Sequence, residues 1–206
     1  MGYFTRVLTK LDTVPELEEL EEVLLRDHPG CRLEVEDTDE EGEWASLLLS
    51  TVDGIEIAVL QRNPVEDGSA GQDDIADLLE DARDAKPESA RRWLEDFMDE
   101  VRTVFCFQHL QGSEFAEGAA ALHALRHKLF ERGESILQAD NEGFTNEEGY
   151  HILWQFADSV SGPWNMAVLQ DDAWRSFNMD LGDQEHREAF WSGEVPADLE
   201  GLKRLN

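Results

Sequence analysis

Three consecutive strands near the N-terminus constrain the fold more than any other feature of this chain. In Cys31 to Asp37 the residues Cys31, Leu33 and Val35 alternate with Arg32, Glu34 and Glu36, so one face is apolar and the other is solvated. The runs Trp44 to Thr51 and Ile55 to Arg62 flank Asp53-Gly54, a dipeptide suited to a tight hairpin turn. A sheet with one apolar face needs a cover. The spacing predicts a helix opening at Thr13, with Pro15 near its first turn and Glu16 three residues after the threonine cap, and ending at Pro29-Gly30. Leu17, Leu20 and Leu24 line its inner face, and Tyr3 to Thr9 reads as a strand before it.

After the polar, turn-rich segment 63–71 come two short amphipathic helices, Asp73 to Asp84 and Pro87 to Val101. The element order then starts again. Strand Thr103 to His109 leads to helix Ser113 to Arg132, then to strands Ser135 to Asp140, Tyr150 to Ala157, Trp164 to Gln170 and Ala173 to Met179, with a last helix at Asp183 to Trp191. AVLQ occurs at Ala58 to Gln61 and again at Ala167 to Gln170, and EEG at Glu40 to Gly42 and again at Glu147 to Gly149. These matches suggest duplication. The expected fold is therefore α+β, two strand-helix-strand-strand-strand modules with mainly antiparallel sheets and helices on one face. The first module spans 1–71, a helical connector 72–101, and the aromatic-rich second module 102–206.

Composition narrows the function. The chain of 206 residues carries 47 Asp plus Glu against 17 Lys plus Arg, a formal charge of -30. Such a surface repels phosphate backbones and anionic lipid, so neither nucleic acid nor membrane is an expected partner. The start MGYFTRVLTK lacks a basic segment followed by a long apolar one, and no apolar run approaches the roughly twenty residues of a membrane span, so a cytoplasmic location is expected. Cys31 and Cys106 have no metal or redox spacing and read as reduced structural thiols. Four of the cations are Lys and the rest Arg, a bias that selection for solubility or high salt also produces.

Candidate sites cluster in the second module. Tyr150, Ile152, Trp154 and Phe156 share one strand face, Trp164, Met166 and Val168 lie on the next strand, and Trp174 stands near the start of the last. The turn Asp140 to Gly149 places carboxylates beside them. Asp140, Glu142, Phe144, Tyr150, Trp154, Trp164 and Trp174 are accordingly the expected ligand or partner residues, through charge and cation-π contact. A core role competes with this, because apolar faces in a duplicated fold bury each other. Asp37, Asp39, Glu41 and Gly42 begin like a calcium loop, but Leu48 stands where the bidentate Glu belongs. His123, His127 and Glu131 share a helix face but lie away from the seam of Leu122, Leu125 and Leu129, with no local third His or Cys. No metal or cofactor is expected. DGSAG at Asp67 to Gly71 is not a nucleophile elbow, and no phosphate-binding glycine loop occurs.

These features point first to a cytosolic binding protein that engages a basic protein, of the inhibitor or immunity type. A protein holding a small organic cation against the second module's aromatics comes second, and a metal-assisted hydrolase third.

Overall fold

The computed structural model describes residues 2–199. Along the chain the elements are β1 (Phe4–Thr9), α1 (Leu17–Asp27), β2 (Cys31–Thr38), β3 (Trp44–Thr51), β4 (Glu56–Pro64), α2 (Ala70–Ala82) and α3 (Glu88–Met98). There follow β5 (Thr103–His109), α4 (Ala116–Phe130), β6 (Ser135–Ala139), β7 (Gly143–Thr145), β8 (Pro163–Gln170), β9 (Ala173–Asp180) and α5 (Gln184–Trp191), with a 3-10 turn, Gln111–Glu114, ahead of α4. The class is mixed α+β with mainly antiparallel sheets, and no described helix is long and apolar enough to cross a membrane.

Packing divides the described residues into two compact units, one built from residues 2–74 and 101–140, the other from 75–100 and 141–199. In the first, the strands run in the order β2-β3-β4-β5-β1-β6, and every neighbour is antiparallel. Val7 of β1 lies opposite Phe105 on one side and Leu137 on the other. Since β5 and β6 both run antiparallel to β1, they are parallel to each other, and α4 is the long crossover that such a pair requires. Leu20 and Leu24 of α1 and Leu122, Leu125 and Leu129 of α4 cover one sheet face, packing on Val7, Leu47, Leu49, Leu60, Phe105 and Phe107. The alternation seen in the sequence is realised at Cys31 and Leu33, which join this core, but not at Val35, which is exposed, while Leu8, Val104, Cys106 and Ile136 are buried on the other face of the central strands.

The second unit has the β8-β9 ribbon at its centre, with Trp164 opposite Met179 and Met166 opposite Phe177. Phe190 of α5 joins Met166, Val168, Met179 and Leu181 in its core, and α3 packs on β8. Asp183 caps α5, its side chain accepting from the backbone N–H groups of Glu185 and His186 at 2.8 and 3.2 Å.

Several expectations need correction. The halves do not repeat: Ala58 to Gln61 lie in β4, an interior strand between β3 and β5, whereas Ala167 to Gln170 lie in a two-stranded ribbon. The strand after the first helix, β2, ends the sheet, but the strand after α4 pairs directly with β1. Of the segment 72–101, residues 75–100 belong to the second unit, and β5, α4 and β6 belong to the first. Residues 150–157 form no strand. They run irregularly, touching their neighbours through isolated bridges at His151 and Trp154. Ile152 and Leu153 are adjacent and both fully buried, so the segment is enclosed on more than one side, unlike a strand with one wet face. The turn expected at Asp140 to Gly149 contains β7, and α1 starts at Leu17 with no side-chain cap rather than at Thr13.

Candidate functional site

The seven residues expected to bind a partner have different fates. Asp140 belongs to the first unit, where its carboxylate accepts from the Arg6 guanidinium at 2.9 Å and from the Phe4 backbone N–H at 3.0 Å. Gln138 takes a second bond from the same guanidinium nitrogen at 2.6 Å. Asp140 is therefore already used in joining β1 to the end of β6. Glu142 is half-buried, and Phe144 is fully buried and contributes to packing. Tyr150 is half-buried, with its backbone N–H bonded to the Asn146 side chain at 3.0 Å. That bond, with a second from Glu148 N–H, folds the acidic turn around a fully buried asparagine.

Trp154, Trp164 and Trp174 lie in the second unit as half-buried rings of an aromatic assembly. Trp154 meets Phe156 and Trp191 edge-on, each at 5.4 Å between centroids. Trp164 meets Phe156 at 4.7 Å and His151 at 4.8 Å, and Trp174 meets Trp93 at 5.1 Å. Each is a favoured edge-to-face geometry. The Arg187 guanidinium lies over the Trp154 ring at 5.3 Å and donates to the carbonyls of Asp158 and Val160 at 3.2 and 3.0 Å. The cation that Trp154 was expected to receive from a ligand is thus supplied by the chain itself.

Two residues gain significance only here. Trp191 is 38% exposed. Its neighbour Phe190 is in the core, and residues adjacent on a helix point about 100° apart, so the pair Phe190-Trp191 implied that one ring would face outward. His151 is the second. Burial pushes its imidazole down to about 4, and its Nδ1 has no partner among the described residues. It is a neutral ring packed between Phe156 and Trp164.

Metal-ligand candidates are dispersed. His123 and His127 are exposed, with ring centroids 5.9 Å apart, and His127 pairs with Glu131 at 3.2 Å. Among the described residues no three His, Cys, Asp or Glu side chains converge as a metal site would require. Asp39, in the stretch that begins like a calcium loop, accepts from the Glu41 and Glu43 N–H groups at 2.9 and 3.0 Å and pairs with Arg62. The Arg62 hydrogen bond holds its carboxyl below the usual carboxylate range. Both cysteines are free and buried, and burial pushes the Cys106 thiol up to about 11.

The charge distribution follows from these pairings. Arg6, Arg26, Arg32, Arg62, Arg83, Arg91, Arg92 and Arg132 each pair with a carboxylate of this chain. Eight of the seventeen Lys and Arg are thus paired within the chain, and the 47 acids leave a large surplus of carboxylates. Comparison with known proteins found no matching family model, no matching curated protein and no matching solved structure. Any functional reading therefore stands on the geometry of this chain.

Proposed function

We propose that this protein binds a basic protein partner, in the manner of an inhibitor or immunity protein. The observation carrying this reading is the surplus of exposed carboxylates beyond those paired with arginines of the chain. A field of one sign speeds the encounter with a partner of the opposite sign and turns away nucleic acid and anionic lipid. Half-buried and exposed aromatics of the second unit, Trp154, Trp164, Trp174, Tyr150 and Trp191, supply rigid contact surface of the kind that anchors interfaces. A protein is preferred over a small organic cation because Arg187 already fills the cation position over Trp154.

The test is capture of partners from the source lysate at low and high salt, using the native chain and the variants Trp191→Ala and Trp174→Ala, with identification by mass spectrometry. A basic protein recovered at low salt, weakened by salt and lost with an aromatic variant, supports the reading. Recovery of generic polycations alone, in equal yield from all three proteins, sinks it.

A further inference from the structure

A groove of about 260 Å³ in the first unit lies between the chain entering α1 and the β2-β3 hairpin. Its walls exist because residues before α1 do not become helical. The Trp44 indole N–H donates to the Pro15 carbonyl at 2.8 Å, and Arg132 donates to the Thr13 hydroxyl at 3.0 Å. On the other side β2 shifts register between Val35 and Thr38, and Val35 is left 45% exposed. Val14, Pro15 and Leu17 form one wall, Val35 and Trp44 the other. The lining is apolar at depth and acidic at its mouth, where Glu16, Glu18 and Glu43 are all exposed.

The charge there is compensated only in part: Arg32 pairs with Glu34 at 2.9 Å and Arg62 lies 3.9 Å from Glu43, whereas Glu16 and Glu18 pair with no cation among the described residues. Residues 34–43 hold seven carboxylates and no cation. Arg62, close by, has only 8% of its side chain exposed and is taken up by Asp39 and the Trp44 carbonyl. The positive end of α1 offsets about half an elementary charge, against the two carboxylates, Glu16 and Glu18, that no cation among the described residues meets. An apolar slot with a negative mouth fits a lysine or arginine, whose alkyl stem lies on the walls while its charge meets the carboxylates. Size favours this occupant too: small-molecule pockets are commonly about 300–1,000 Å³, and this groove takes one long side chain instead. β2 is the outer strand of its sheet, so a polypeptide can lie alongside the slot.

We infer that this groove anchors an arginine or lysine side chain of a basic protein partner, an inference that rests on the proposed function and assigns it a place. The test is an NMR titration of the full ¹⁵N-labelled chain with a hexa-arginine peptide. The groove predicts saturable shifts centred on the Trp44 indole N–H, Leu17, Val35 and Gly42. The double variant Glu16→Gln/Glu18→Gln should weaken the peptide about five-fold, as two partly exposed ion pairs allow. The charge-matched double variant Glu66→Gln/Asp67→Asn, on an exposed loop, should change it less than two-fold. Both variants are checked for the native spectrum. Equal weakening by the two variants, or diffuse shifts, overturns the groove and leaves charge-driven association standing. Shifts centred on Trp191 and Trp174 overturn the groove in favour of the second unit. The absence of any saturable shift overturns the groove and the basic-partner reading together.

Discussion

His151 is the residue whose environment departs furthest from its ordinary chemistry. Its pKa is lowered to about 4 by burial, so between pH 6.5 and 4 the unfolded chain binds a proton that the folded one refuses. Stability contributed by neutral His151 is therefore complete above about pH 6.5 and falls as the pH drops through that window, by about 3 kcal/mol at its full extent. Denaturant melts at stepped pH should show this slope in the native chain and its loss in His151→Phe, which keeps an aromatic ring beside Phe156 and Trp164; an unchanged slope would contradict the assignment. Trp44 makes a comparable case. It is 5% exposed, and Trp44→Phe removes the indole N–H bond to the Pro15 carbonyl, at a cost of about 1–3 kcal/mol in unfolding free energy. Neither environment is legible locally. Trp44 and Pro15 are 29 residues apart, as Arg6 and Asp140 are 134 apart, and nothing in the local pattern announces either pairing.

At the scale of elements, α4 tests packing against propensity. Gly118 sits in its first turn and is buried, and a Cβ there would lie 2.1 Å from the Gly112 carbonyl oxygen in the preceding 3-10 turn. Helix propensity alone predicts that Gly118→Ala gains about 1 kcal/mol. The clash is between backbone and a new side chain, so it cannot be relieved by a rotamer change, and the variant should melt below the native protein. A higher melting temperature would show that the turn yields. The strands were more legible than this helix start. β3 and β5 begin and end at the residues their apolar runs predict, because a period of two and a turn dipeptide are properties of adjacent residues. Residues 150–157 were not, because their burial comes from several directions at once.

For the whole molecule the charge of -30 dominates. Repulsion among exposed carboxylates opposes compaction, and the Debye length shrinks from about 30 Å at 0.01 M salt to about 8 Å at 0.15 M. Calorimetry across that range should show the melting temperature rising, by about 2–4 °C for each kcal/mol of repulsion screened; a flat response would mean that the surplus is spread too thinly to matter. Charge, the class of the fold, the helix-covered apolar face and the hairpin at Asp53-Gly54 were all determined by the sequence itself, since each depends on composition or on neighbours a few residues apart. The aromatic richness around Trp154, Trp164 and Trp174 was equally visible. Only the tertiary structure decided that β1 lies between β5 and β6, that two discontinuous units replace a duplicated pair, that Asp140 is spent on Arg6, and that Arg187 covers Trp154. The physical reason is that hydrogen bonds and ring contacts between distant residues form only once the backbone has closed long loops, and short sequence identities such as AVLQ carry no information about that closure.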